Sequence, residues 1–222
     1  MPISLDDALL LITTDPRTLL DNAFIAMAGG DNNSTSTAAI FSISKPAAEQ
    51  NMYQRAGSFV PTFRVKVHQH DLMLPRKFTS GGDEYLTFAA FYIAMKPMAT
   101  VVGQVPAGTH FALPAAGGGS DICITSQLSG CTFGIGSQAP NGSCLVSHIQ
   151  PVGPLAGAQG PMAAQTQQLL GAAPRKLVQK GGGNDYTDRA NVIGKRTYGH
   201  WDFFIQRFMG GHNRVILPVG DL

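Results

Sequence analysis

A chain of 222 residues, 44% apolar and 14% charged, can bury a sizeable core; it is too apolar for disorder and has no apolar run long enough to span a bilayer as a helix. Sixteen basic against fourteen acidic residues leave a net charge of +2 without any long Lys/Arg run, so neither nucleic acid nor a membrane surface is expected as a partner. Three cysteines, odd in number and irregularly spaced, argue against a disulfide framework and for a reducing compartment in which thiols are inert or catalytic.

The length fits one domain over 1–222. The opening, MPISLDDALLLITT, lacks a basic leader and carries two aspartates before a short apolar run, so no Sec-type signal peptide is expected. Two helices are predicted in the first thirty residues. Ser4 with Asp7 three residues on is a capping-box-like start; Asp15–Pro16 opens a second helix, which Gly29–Gly30 would end. DNNSTST reads as a polar loop, and the sequons at Asn32, Asn33 and Asn141 read as turn chemistry. AIFSIS and FVPTFRVKVHQH alternate apolar and polar residues as strands do. GGDEYLTFAAFYIAMKP is predicted as a helix over Asp83–Met95, between Gly-Gly and Pro97. Short strands follow in TVVGQV, HFAL, DICITS, CTFGIG and SCLVSHI, separated by Gly/Pro/Asn clusters. The Gly153–Pro174 stretch is a long loop with one helix near Met162–Leu170, and the tail is two strands around Tyr198–Gly199. The expected class is α+β, with a mixed β-sandwich-like core flanked by helices.

The chemistry-bearing candidates are Cys131, in TSQLSGCTFGIG, and His148, in SCLVSHI. A thiol is a weak nucleophile until an imidazole or a helix dipole makes it a thiolate. Gly130 admits a planar group to the backbone, and successive amides around Ser129 and Gly130 could hold an oxyanion. The Asn141–Gly142 turn lets a hairpin return His148 toward Cys131. On the residues alone, an inert thiol and a structural histidine are the plainer reading.

LSGC (Leu128–Cys131) followed across a strand–turn–strand by a histidine resembles the catalytic segment of the bacterial glutamine deamidases that include the cytotoxic necrotizing factors and Burkholderia lethal factor-like toxins. More distantly it resembles the chemotaxis receptor deamidases, which also carry a Thr six residues before the cysteine. Here Thr125 stands six residues before Cys131, and His148 seventeen after it. RANVIGKR…HWDFFIQRF also looks like the end of a lethal-factor-type domain. The motif spans about Thr125 to His148, and the N-terminal half carries no resemblance. The resemblance implies a toxin-type protein-glutamine deamidase in which Cys131 attacks the carboxamide, His148 is the base and Thr125 orients the imidazole. Ser129 and Gly130 would line the substrate cleft or oxyanion site. It further implies a monomer needing no cofactor, secreted and acting in a host cytoplasm on a translation-initiation RNA helicase or a Rho-type GTPase. A receptor deamidase working in the producing cell and a catalytically silent binding module of the same fold remain as alternatives.

The remaining candidates are weaker. A Cys3His zinc site from Cys123, Cys131, Cys144 and His148 lacks the paired short spacings such sites show, so Cys123 and Cys144 are expected to be inert β-core thiols. His68 and His70, with Asp71, form an H-x-H pair without a third placed ligand. His110, His200 and His212 belong to no constellation. GCTFGIG lacks the G-x-G-x-x-G order that opens a helix, so no dinucleotide site is expected. Trp201 reads as a core anchor or a substrate-facing aromatic.

Overall fold

The computed structural model describes residues 3–28, 36–68, 73–101, 103–105, 108, 110–115, 119–153, 158–171, 174–181, 185–209 and 215–222. The first third runs α1 (Leu5–Thr14), α2 (Pro16–Asn22), β1 (Phe24–Ala28), β2 (Thr37–Ser44), β3 (Tyr53–Arg55), β4 (Ser58–Val60) and β5 (Thr62–His68). The middle holds β6 (Lys77–Ser80), β7 (Asp83–Ile93), β8 (Lys96–Pro97), β9 (His110–Leu113), β10 (Ile122–Thr125), β11 (Thr132–Gln138) and β12 (Cys144–Gln150). The last third has α3 (Gln159–Leu170), β13 (Lys176–Val178), β14 (Arg189–Thr197), β15 (His200–Phe208) and β16 (Gly220–Asp221).

The start of α1 follows its sequence signal: the Ser4 hydroxyl accepts from the Asp7 amide at 3.0 Å, and the Asp7 carboxylate accepts from the Ser4 amide at 3.2 Å. Asp15 caps α2, with Pro16 at the first helical position. That helix ends at Asn22, not at the glycine pair, because the chain turns extended at Ala23 and Phe24 joins the sheet.

Nine strands form one curled, mixed sheet in the order β1-β5-β2-β7-β10-β14-β15-β16, with β6 beside the first part of β7. A second sheet has the order β13-β11-β12-β8, with β9 also on β12, and β3 and β4 form a separate hairpin. The class is α+β. Alternation along the strands sets the layers. Leu86, Phe88 and Ala90 of β7, with Ile122 and Ile124 of β10, join Ala8, Ile12, Leu19 and Leu20 of the N-terminal helices in one core. Cys123, Val192 and Phe203 point the other way and share a second core with Phe133, Ile135, Cys144, Val146 and Val178 of the smaller sheet. Fully burying a large apolar side chain contributes about 1.5–3 kcal/mol, so these two cores hold the layers together. Helix α3 covers the outer face of the smaller sheet, where Ile149 meets Met162.

Three sequence expectations are corrected. Asp83–Ile93 is a strand, not a helix: Leu86, Phe88, Ala90 and Tyr92 alternate toward the helical core, while Phe91 and Ile93 face the second sheet. Two-sided burial fills in the polar half of the pattern, so the run mimics a helix in sequence. Around Thr100–Val105 the described residues form no strand, and the Gln104 amide donates to the Val101 carbonyl at 3.1 Å in a turn. The late helix begins at Gln159, three residues before the predicted Met162. The other predicted strands are present. Tyr198 and Gly199, both at positive φ (50° and 81°), make the tail turn. Asn32, Asn33, His70, Asp71 and His212 lie outside the described residues.

Candidate functional site

The two sheets bring Thr125, Cys131 and His148 to the same interlayer. On β10, Thr125 has the parity of Cys123 and faces the second core. In the β11–β12 ladder Phe133 is opposite His148, which has the inward parity of Cys144 and Val146. Cys131, two residues before Phe133, is then a diagonal neighbour of His148, a spacing of about 7–8 Å between backbones that side chains can bridge. The hairpin closes as its sequence dictates: the Asn141 carboxamide accepts from the Ser143 amide at 3.0 Å, and Gly142 takes φ +88°.

Thr125 and His148 meet directly, with Oγ1 and Nδ1 2.5 Å apart. Oγ1 also lies 3.0 Å from the Ile93 carbonyl, which can only accept. The single hydroxyl proton therefore goes to Ile93, and Thr125 accepts from Nδ1–H. This assigns the tautomer, leaving Nε2 buried with its lone pair and without a partner among the described residues. Nε2 is thereby the ring's acceptor. Full burial pushes its pKa from 6.5 down to about 3, so it is neutral across the physiological range.

Cys131 is 3% exposed. Burial pushes its thiol up to about 11, and the Ser129 and Gly130 amides, directed at the sulfur, pull it partly back. The sulfur makes no hydrogen bond to His148; it lies 3.7 Å from Met95 Sδ. The site is thus not the open cleft that the sequence suggests: Thr125, Cys131 and His148 are all buried, and Ser129 alone of the five predicted residues is exposed. The turn carrying the thiol is fixed from outside. The Tyr186 hydroxyl donates to the Cys131 carbonyl at 2.7 Å, and Lys180 Nζ donates to the Ser129 carbonyl at 3.4 Å. Neither Met95 nor Tyr186 stands out in the sequence, since Met95 falls at the end of a misassigned helix and Tyr186 follows a Gly-rich run.

A scan of protein-family models finds no match, and a search of curated proteins finds none. The reading of the site therefore stands on its chemistry.

The other candidates settle into structural places. Cys123 lies opposite Gly194, and burial raises its thiol. Cys144 Sγ lies 3.6 Å from the Gly136 carbonyl, and burial lifts it to about 11. Among the described residues no group of three or more His, Cys, Asp or Glu side chains could hold a metal ion. His68 Nε2 is 2.8 Å from Ser42 Oγ. Trp201 is a core anchor, fully buried, with Nε1–H donating to the Pro114 carbonyl at 3.0 Å. The glycines of GCTFGIG serve packing: a Cβ on Gly134 would fall 2.2 Å from Thr166 Cγ2 of α3.

Proposed function

We propose that this chain is a protein-glutamine deamidase, with Cys131 as nucleophile, His148 as general base and Thr125 as the residue that orients the imidazole. The observation that carries the reading is the Thr125–His148 contact, 2.5 Å at Nδ1, with the Nε2 lone pair left unpartnered in the layer that holds Cys131. In the reaction the thiol proton moves to Nε2 as sulfur attacks the glutamine carboxamide carbon. The tetrahedral oxyanion is stabilised by amides of the Ser129–Cys131 turn. The imidazolium returns the proton to the departing nitrogen, releasing ammonia and leaving a thioester. Nε2 then deprotonates water, which attacks the thioester; glutamate forms and the thiol is regained. Met95 has to leave the sulfur before substrate enters, and that movement lets the thiol reach Nε2. By its resemblance in LSGC the chain acts as a secreted effector on a host protein, of the translation-helicase or Rho-GTPase class.

A second reading is a silent binding module of the same fold. The buried thiol, raised to about 11 and not hydrogen-bonded to His148, favours it. Incubation with host-cell extract, followed by peptide mass spectrometry, separates the two. Wild type is expected to convert a small set of glutamines to glutamate that Cys131→Ala leaves intact. Identical peptides from both proteins would remove the enzyme reading and leave the binding module.

A further inference from the structure

A cavity of about 280 Å³ opens beside the loop that carries the candidate nucleophile. Phe24, Tyr53, Thr62, Gln127 and Arg189 line it, together with Glu49. The loop itself places two of these side chains together. Leu128 and Ala190 form an antiparallel bridge (N–H to carbonyl 2.8 and 3.0 Å), which puts Arg189 opposite Ser129 and on the same face as Gln127, its diagonal neighbour four residues before Cys131. Phe24 and Tyr53 stack with ring centroids 3.5 Å apart and make an apolar wall.

Three polar side chains of this cavity, Thr62, Gln127 and Arg189, are unspent among the described residues. Thr62 is 1% exposed, and its hydroxyl has no hydrogen-bond partner among the described residues. Among the described residues Arg189 makes no ion pair and the Gln127 carboxamide makes no hydrogen bond. Glu49, the one acid in the lining, is taken up by Arg64. A buried hydroxyl left dry is costly, and a guanidinium without an anion is a fork that matches a carboxylate. The volume suits one side chain and falls short of most cofactor sites, which start at about 300 Å³.

We propose that this cavity is a subsite for an acidic side chain of a bound protein substrate. Arg189 would pair with the carboxylate, Gln127 would donate to it, and the Phe24–Tyr53 wall would pack its methylenes. The assignment rests on the deamidase reading for what happens next to it: it defines the substrate class as glutamines with an Asp or Glu nearby in space.

Two measurements keep the two ideas apart. The first is binding alone: nuclear magnetic resonance titration of wild type and Arg189→Gln with N-acetyl-glutamate methylamide and with the corresponding glutamine compound. Wild type should prefer the glutamate compound by about tenfold, the scale of one charge-assisted hydrogen bond, with shifts at Gln127 and Arg189. Arg189→Gln should bind both alike. No preference in wild type, or one retained in Arg189→Gln, overturns the subsite. The second is turnover of Gln-containing peptides with Glu, Gln or Lys scanned at flanking positions. Arg189→Glu should exchange the preference from Glu-bearing to Lys-bearing peptides, in KM more than in kcat. An unchanged preference overturns the subsite. If no peptide is converted while the binding preference holds, the subsite stands and the deamidase reading falls.

Discussion

At His148 a single side chain ties stability to chemistry. Its ring is fully buried, its Nδ1–H is satisfied by Thr125, and its Nε2 has no partner among the described residues. Protonating Nε2 would place a charge in the core with no acid to meet it, which is why burial holds the pKa near 3 instead of 6.5. In the unfolded chain the same imidazole takes up its proton as soon as the pH falls below about 6.5. Between those values the unfolded state binds the extra proton, so stability rises with pH, and it is lost as pH falls through the window. The slope is about 1.4 kcal/mol per pH unit for one such group. Urea unfolding at pH 7 and at pH 5 should show this loss in wild type. His148→Phe, which keeps a planar ring in the same space, should lack it, and equal losses in both proteins would show that His148 is not the acid-labile group. The burial that keeps the imidazole neutral at pH 7 is therefore also what makes the fold sensitive to acid.

At the scale of elements, β11 and α3 depend on an absent side chain. Gly134 is where the helix lies against the smaller sheet; a Cβ there would stand 2.2 Å from Thr166 Cγ2 and 2.6 Å from Leu170 Cδ1. Thr166 is β-branched and tied through its hydroxyl to the Met162 carbonyl at 2.8 Å, so it has little room to yield. Gly134→Ala is expected to cost about 1–3 kcal/mol by overpacking. The double variant with Thr166→Ser removes the clashing methyl, keeps the hydroxyl and should recover most of that loss in thermal unfolding. A double variant no better than the single would mean that α3 is not seated on Gly134. This contact also separates what the sequence could tell from what it could not. Capping of α1, the Asn141–Gly142 turn and the alternation of β2, β5 and β12 are local signals, and each was readable. The strand β7 was not, because its second face is covered by residues far along the chain, and the apolar run then fits a helix as well as a strand. The candidate site divides in the same way. The resemblance in LSGC pointed to Thr125 and His148, which meet, whereas the Met95 cover over Cys131 depends on how β7 leaves the sheet and has no local signature.

On the scale of the whole molecule, the large sheet curls until its first strand meets its late ones, and side chains close the seam. Asn191 and Gln206 are cross-strand partners on β14 and β15, on the side facing the helical core. Gln206 Oε1 accepts from the Ile25 amide at 3.1 Å, and Asn191 Nδ2 donates to the Ile25 carbonyl. The pair thus offers β1 one acceptor and one donor, as a neighbouring strand would. Gln206 Nε2 also donates to the carbonyls of Leu20 and Ala23, at 2.8 and 2.7 Å, so the same carboxamide ties down the end of α2. It is fully buried, and removing it would strand one amide and two carbonyls away from water. Gln206→Met preserves length and volume but none of these bonds, and it should cost about 3 kcal/mol or more, since each unmet buried group costs about 1–3 kcal/mol. The loss should also be local in kind: amide exchange at Ile25 should speed up before the β14–β15 hairpin opens, because β1 keeps its parallel ladder to β5 and the Asn191 bond to the Ile25 carbonyl, while the Ile25 amide loses its acceptor on the far side. If exchange at Ile25 stays as slow as in wild type while the variant unfolds earlier as a whole, the seam is not what holds β1 in place. If Ile25 is freed first, the curl that carries Arg189 toward Phe24 and Thr62 is maintained by two carboxamides.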